Sequence, residues 1–402
     1  MSNRPLVSVV MPTYNHARFV QASIESVLQQ QGVDLELLIC DDGSTDNTRD
    51  VVARCQDPRI QFEPNTVNRG ACTTANRLIA RAQGEFIALL NSDDVWATPT
   101  KLAEQVSVLR AHPDVGASFG RATFIDDHGL TIPKESVPFG KAFDQEQRSQ
   151  AQWLRYFFEN GNCLCHPTML IRRSCYDDVG VYDNRLRQLP DLDMWTRLIK
   201  RHQIHVSDSI WVRFRVLPGE NASTPSVANS IRTFNEHMLI AEHALTDVSG
   251  TLLKEAFADW LPPLPELTPV IEDILRVLPL MMVSSGPLRH PYRLIGLQKL
   301  GALLSRPEHQ GALSDIFGID DRRFHQLMSE EDCLCIDWDW APSIKDTLET
   351  HVAPLRHQSN LQQNQIHQQQ DRINWLEQEV QRPLLSLIAR RLKQKRKGLP
   401  LI

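Results

Sequence analysis

The chain has 402 residues, of which 42% are hydrophobic and 23% charged, with a formal net charge of −6. That balance belongs to a globular protein large enough for two domains or one domain with an appendage, and its acidity argues against a nucleic-acid partner. Eight cysteines are scattered, and the first apolar run, Leu6-Val-Ser-Val-Val10, starts with no secretory leader before it, so a reduced, cytoplasmic setting is expected. No apolar run approaches the roughly 20 residues that cross a bilayer.

The first half alternates β-branched runs with amphipathic helical patterns, the mark of an α/β sheet. Val7–Met11 reads as a strand, and Phe19–Gln31 as a helix with Val20, Ile24, Val27 and Leu28 on one face. Leu35–Cys40 is the next strand, followed by a helix over 46–55 that Ser44 or Asp46 would cap. Ile60–Phe62 is a short strand, Ala71–Ala82 a helix and Phe86–Leu90 a strand, after which Thr98-Pro99 opens another helix with proline in its first turn. Polar residues therefore gather after Met11, after Cys40 and after Leu90, each time at the C-terminal end of a strand. Open parallel sheets bind their ligands on that edge.

Past residue 217 the character changes. Residues 218–350 read as a helical region without a chemical motif, and 351–381 as a Gln-rich helix. Within it Ile366, Ile373 and Val380 fall seven apart, with Leu376 at a d position but Gln362 and Gln369 at the others. That imperfect heptad leaves two readings, a self-associating coiled coil over 355–381 or a solvated single helix. Residues 382–402 combine Leu384, Leu385, Leu387, Ile388 and Leu392 with a dense run of Lys and Arg. Such a segment fits a helix lying on an anionic membrane surface, with a solvated basic tail as the alternative. The pairs Cys163/Cys165, followed by His166, and Cys333/Cys335 are spaced more tightly than usual zinc ligands and read as free thiols.

Four segments carry a resemblance: Val7-Ser-Val-Val-Met-Pro-Thr-Tyr-Asn15, Cys40-Asp-Asp-Gly-Ser-Thr-Asp-Asn-Thr48, Asn68-Arg-Gly70 and Gly84-Glu-Phe-Ile-Ala-Leu-Leu-Asn-Ser-Asp-Asp94. In order and spacing they resemble the family 2 glycosyltransferases, over roughly residues 5–215. The resemblance implies a GT-A fold, a Rossmann-like nucleotide-diphospho-sugar transferase domain, over residues 1–217, followed by the mostly helical C-terminal region. It implies that Pro12, Thr13, Tyr14 and Asn15 belong to the segment lining the nucleotide base and that Asp42 hydrogen-bonds the base, as a carboxylate can with an imide N–H. By itself Asp41-Asp42-Gly43-Ser44 would read as a turn and helix cap.

Asp93 and Asp94 match the last two positions of the family's acidic motif. The resemblance gives Asp94 to a divalent cation and Asp93 to the ribose or the metal, and hard oxygen ligands suit Mn²⁺ or Mg²⁺. Asn91 stands where the family often has Asp. Gln188-Leu-Pro-Asp-Leu-Asp-Met-Trp-Thr-Arg197 resembles the family's acidic segment before a Trp-containing helix, with Pro190-Asp191 in place of Glu-Asp. That makes Asp191 the matching catalytic base, with Asp193 a helix-start group; the alternative is that both acids only favour the helix dipole. Arg69, Arg172 and Arg173 read equally as diphosphate contacts or as solvated chain ends, and His166 reads first as a structural hydrogen-bonder, with contact to acceptor or phosphate as the alternative.

The expected reaction is inverting transfer of a sugar from a UDP- or dTDP-sugar to a hydroxyl of a glycan, lipid-linked or protein acceptor, in polysaccharide, lipopolysaccharide or protein-glycan assembly. The expected location is cytoplasmic, with peripheral contact at the inner membrane face through the tail. Two rivals remain: a nucleotidyltransferase, for which Met11-Pro-Thr-Tyr-Asn15 lacks the Gly-rich basic loop, and a non-catalytic glycan-binding or scaffold protein that keeps the fold.

Overall fold

The computed structural model describes residues 5–217, 219, 221, 226–283 and 289–330, and a few helical positions between 362 and 374. Ile366 and Ile373 are among those few and are exposed. The rest of the expected coiled coil, the basic tail over 382–402 and the Cys333/Cys335 pair lie outside the described residues. Residues 1–333 make one contact unit and residues 334–402 another.

The strands are β1 (Val7–Thr13), β2 (Leu35–Asp41), β3 (Ile60–Pro64), β4 (Phe86–Leu89), β5 (Val95–Trp96), β6 (Val115–Ile125), β7 (Thr131–Ile132), β8 (Leu170–Arg172) and β9 (Gln203–Arg215). They form one sheet in the order β3-β2-β1-β4-β8-β6-β9-β5, with β7 paired to β6. From β3 to β4 all neighbours are parallel; β8 then runs antiparallel to both β4 and β6, and β6 runs parallel to β9. Helices α1 (Val20–Leu28), α2 (Thr48–Arg54), α3 (Ala71–Arg81) and α4 (Lys101–Ala111) are the crossovers and flank of the parallel half. Later come α5 (Gln150–Asn160), α6 (Arg173–Val179), α7 (Pro190–Ile199) and α8 (Val227–His243), then shorter helices down to Asp321–Ser329.

The period-2 alternation of the strands divides the interior in two. Val7, Val9 and Met11 of β1 pack with Val20, Ile24 and Val27 of α1 and Leu102, Val106 and Leu109 of α4. Val10, pointing the other way, joins Leu78 and Ile79 of α3, Trp153 and Phe157 of α5 and Trp195 and Leu198 of α7. This second core does not stop at residue 217: Ile240 and Ala241 of α8, Leu253, Phe257 and Ile295 belong to it. The helical region is thus packed on the sheet domain's own core. Among the described residues no helix is long and apolar enough to cross a membrane.

Two local expectations shift. β1 runs on through Pro12 and Thr13, which pair with Cys40 and Asp41, so these polar residues lie inside the strand rather than after it. α4 begins at Lys101, after Pro99 instead of around it. The reason is tertiary: the Pro99 carbonyl accepts the Gln31 N–H at 2.8 Å and the Thr98 carbonyl accepts Gln30 Nε2 at 2.7 Å, holding both residues in non-helical bonds at the end of α1.

Candidate active site

The ends of β1 and β2 are laced together. Asn15, in a left-handed conformation (φ 54°), donates its backbone N–H to Ser44 Oγ at 2.8 Å and accepts from Thr45 N at 2.8 Å. Asp42 N–H donates to the Thr13 carbonyl at 2.7 Å. Gly43 (φ 80°) lies so close to Val67 and Asn68 that a Cβ would come within 2.6 Å of their backbone, which is why this turn requires glycine. The Asn68-Arg69-Gly70 segment is thereby drawn over Asp42, whose Oδ1 accepts from Asn65 Nδ2 at 2.8 Å and Arg69 N at 2.9 Å and whose Oδ2 accepts from Gly70 N at 2.9 Å. Oδ2 keeps a lone pair for a ligand. Arg69 reaches Asp42 by its backbone while the residue itself is exposed. Tyr14 is 41% exposed at the rim, Pro12 half-buried and Thr13 buried.

Thr13 Oγ1 and Asp41 Oδ1 are buried without a hydrogen-bond partner, on residues that are neighbours across the β1–β2 ladder. The other Asp41 oxygen accepts from Arg49 Nε at 2.7 Å and Ser44 N at 3.1 Å. Buried polar atoms are ordinarily satisfied, so two orphans at one strand-end position are where a polar ligand group would find partners.

The second corner follows β4. Asp93 is 8% and Asp94 1% exposed. Asp94 Oδ1 accepts the backbone N–H of Arg215, at the end of β9, at 2.7 Å, and Oδ2 accepts Asn91 Nδ2 at 3.1 Å. Arg215 also donates from Nε to the Asp93 carbonyl at 2.8 Å. From α1, Ser23 Oγ lies 2.9 Å from the Ser92 carbonyl and 2.6 Å from that of Asp94, while His16 Nδ1 meets Ser92 Oγ at 2.7 Å. Burial raises the Asp93 carboxyl, and burial together with the adjacent Asp93 holds Asp94 well above the usual carboxylate range. Among the described residues no group of three or more His, Cys, Asp or Glu is arranged to hold a metal. Two adjacent carboxylates do fit a cation of the Mg²⁺ kind, which takes one or two protein carboxylates and completes its shell with substrate phosphates and water. Both acids lie where their ionisation is penalised by burial, and a cation would relieve that penalty.

The third corner lies across the sheet. Gly161 (φ 73°) ends α5 and turns the chain so that Asn162 Nδ2 donates to Asp191 Oδ2 at 2.5 Å. Asp191 Oδ1 accepts the N–H of Leu192 at 2.8 Å. Asp191 is half-buried in the first turn of α7, and burial pushes its carboxyl up to about 6 against the lowering effect of these donors. The Cys165 thiol is buried, and the charges of both Asp94 and Asp191 add to the burial that raises it. Asp193 is instead paired with Arg197 at 2.7 Å, a contact internal to α7.

Other candidates fall elsewhere. Arg172 and Arg173 are at the opposite edge of the sheet, where Arg172 pairs with Phe86 at the start of β4. Arg172 donates to the carbonyls of Leu109 and Val115, and Arg173 to that of Gly84. They close strand and helix ends and are remote from the strand-end loops. His166 is held by Tyr182 Oη at 2.6 Å beside the Trp195 ring, and burial lowers its pKa to about 4. Cys163 and Cys165 are buried free thiols whose pKa burial raises. Arg215 and Ser23 carry no signal in the sequence because neither lies in a motif; Asn162 opens the segment Asn162–Arg173, which resembles the family's lead-in to the acceptor side, and His16 directly follows Asn15.

A parallel sheet whose C-terminal edge presents Asp42 and Asp93-Asp94, continued by antiparallel strands and an acid-bearing helix, is the arrangement expected of a GT-A glycosyltransferase domain. A family model described as glycosyl transferase family 2 matches residues 8–180. The candidate glycosyltransferase EpsE of Bacillus subtilis is 30% identical over 207 residues, 50% of this chain and 69% of that protein. The UDP-Glc:alpha-D-GlcNAc-diphosphoundecaprenol beta-1,3-glucosyltransferase WfgD of Escherichia coli is 39% identical over 139 residues, 34% of this chain and 54% of its own length. A crystal structure of S. aureus TarS (1–349) in complex with UDP-GlcNAc superposes with a TM-score of 0.49 at 16% identity, covering 73% of this chain and 81% of the other. The chain belongs to glycosyl transferase family 2.

Proposed function

We propose that this glycosyltransferase moves a sugar from a UDP- or dTDP-linked donor to an acceptor hydroxyl with inversion at the anomeric carbon. The observation that carries this reading is Asp191: a half-buried carboxylate in the first turn of α7, held by Asn162 and pushed up to about 6. A carboxylate with that pKa is mostly ionised at neutral pH yet basic enough to take a proton in the transition state. Asp191 accepts the proton of the acceptor hydroxyl as the acceptor oxygen bonds to C1. The bond from C1 to the diphosphate oxygen breaks, its electron pair leaves with the nucleoside diphosphate, and Asp191 ends protonated.

Pro12, Thr13 and Tyr14 line the base in this reading, Asp42 accepts its imide N–H, Asp93 contacts the ribose, and Asn15 fixes the two loops that frame it. The exposed Arg69 is available to the diphosphate. Asp94 with Asp93 would hold Mn²⁺ or Mg²⁺, which when bound supplies positive charge opposite the departing phosphates. The name of WfgD supports a UDP-sugar donor and a lipid-diphosphate-linked acceptor, hence a place in glycan assembly. The basic segment 382–402 would then hold the enzyme at an anionic membrane face, and 355–381 would pair two copies.

The test is turnover of UDP-glucose, UDP-N-acetylglucosamine and dTDP-glucose with Mn²⁺ or with chelator, scored by nucleoside diphosphate release and by the anomeric configuration of the product. Inversion with Asp191-dependent turnover is expected. Retention of configuration would sink the mechanism.

A further inference from the structure

α8 buries the wrong residues for an ordinary amphipathic helix. Val227, Ile231 and Phe234 are 79%, 58% and 46% exposed, yet Glu236 is only 3% exposed. An acid in such a position needs partners, since an unpaired buried carboxylate is strongly disfavoured. It has three. Glu236 Oε1 accepts the backbone N–H of Arg187 at 2.9 Å, and Oε2 accepts those of Gln188 at 2.7 Å and Leu189 at 2.8 Å. These are the last three residues before α7, whose N-cap is Leu189, a side chain that cannot cap, and whose first residue is Pro190, which has no N–H. The segment's own sequence leaves its amides without local acceptors, and a carboxylate from a helix nearly fifty residues later supplies them.

Asp191 is the second residue of that helix. Its carboxylate is therefore set from two sides, by Asn162 after α5 through a side-chain bond and by Glu236 through the backbone that launches α7. We propose that Glu236 is a positioning residue of the transfer reaction, clamping residues 187–189 so that the Asp191 carboxylate stands in one place relative to the donor corner. The inference rests on the reading of Asp191 as the base. Glu236 lies beyond the residues matched by the family model, on an element the motifs do not mention. It also has an electrostatic consequence: its charge raises the Asp191 carboxyl, while Asn162 lowers it. The other titratable groups that feel Asp191 are Tyr182, Cys72 on α3 and Cys165.

Two substitutions separate geometry from charge. Glu236→Gln removes the charge and replaces one acceptor oxygen by an amide NH₂ that cannot accept. Glu236→Asp keeps the charge but is one methylene too short to reach all three amides. With the full chain, Mn²⁺ and the donors above, both are expected to lower kcat by about tenfold or more with donor KM within about twofold, as misplacement of a catalytic group does. The acid limb of kcat/KM should move to lower pH in Glu236→Gln, because a neighbouring negative charge is lost, and stay put in Glu236→Asp. Hydrogen exchange should rise at residues 187–189 in both variants and not in β1–β4. Wild-type kcat in either variant would overturn the inference, as would a kcat loss that follows the melting temperature with no move of the acid limb in Glu236→Gln. Asp191→Asn, run alongside, keeps the failures apart: if it is as active as wild type the base reading itself falls, whereas an inactive Asp191→Asn beside a fully active Glu236→Gln removes only the clamp. Should wild type turn over none of the donors, exchange decides, and unchanged exchange at 187–189 overturns the proposal.

Discussion

The corner around Asp42, proposed to hold the donor, and the corner around Asp191, proposed to hold the base, are built in opposite ways. Around Asp42 the partners come from the loop after β3, Asn65 together with Arg69 and Gly70 of the Asn68-Arg69-Gly70 motif, and two further motifs supply the Asn15–Ser44–Thr45 bonds beside it. Around Asp191 the partners come from α5's end and, through residues 187–189, from α8. The first corner is built from the loops that follow β1, β2 and β3 at one edge of the parallel sheet. The second exists only because a helical region shares the sheet domain's core. A family can keep the first while rebuilding the second for a new acceptor, since binding and catalytic groups sit on variable connections held by a rigid scaffold.

The largest effect expected is at the base. Asp191→Asn should reduce transfer by about 10²- to 10⁴-fold, the usual worth of a general base, while the donor's thermal-shift signal is kept. Its stability should move the other way with pH. Because the folded pKa of Asp191 is raised to about 6, above the usual carboxylate value, the ionised group is a liability that grows as pH rises through 6 and disappears below the unfolded pKa. The melting temperature of Asp191→Asn relative to wild type should therefore be more favourable at pH 8 than at pH 4. A gap independent of pH would contradict the raised pKa. Second in size, Asp94→Asn should lower turnover by about 10²-fold and abolish its dependence on Mn²⁺, and chelation should bring wild type to the same level. If chelator leaves wild-type turnover unchanged, Asp94 has no metal to hold.

The same contrast explains what could be read from the sequence. β1 through β4 were legible because alternating apolar runs and turn chemistry are local signals, and the three polar clusters at their ends followed directly. Strand boundaries slipped where tertiary bonds decide them: Pro12 and Thr13 are recruited into the ladder by β2, and Pro99 is held out of α4 by the end of α1. For Arg172 and Arg173 a diphosphate contact and a solvated strand end are equally open in the sequence, because charge at a strand start and at a strand end is indistinguishable until the antiparallel course of β8 is known. Glu236 was invisible for a deeper reason. An acid within the helix Val227–His243 reads as solvent-facing, and only the amides of residues 187–189, which take it as their acceptor, give it a reason to be buried.

A smaller effect would sharpen the account of the base corner. Asn162 donates to Asp191 and so lowers its pKa against the effect of burial. Asn162→Ala should move the acid limb of kcat/KM to higher pH and reduce kcat by about tenfold or less at neutral pH, with donor binding untouched. Movement to lower pH would mean that Asn162 does not stabilise the ionised form. This is the reverse of the shift expected for Glu236→Gln, so the two variants bracket the base from both sides.

The smallest effect tests the donor corner at Asn91, where the family often has an acid. Asn91 Nδ2 donates to Asp94 Oδ2 at 3.1 Å, so the amide steadies a buried carboxylate that burial and Asp93 already hold well above its usual range. Asn91→Asp would turn that donor into a second acceptor of like charge. Without metal it should destabilise the fold by about 1–3 kcal/mol, the range for stranding a buried polar group. With Mn²⁺ the added charge should be offset, so the rise in melting temperature on adding the metal should be larger in Asn91→Asp than in wild type. With the acid in place of the amide, folding and metal binding should become more tightly coupled. Equal Mn²⁺-induced shifts in the two proteins would mean that the cation does not sit against Asp94, and would leave Asn91 only its role in holding the loop after β4.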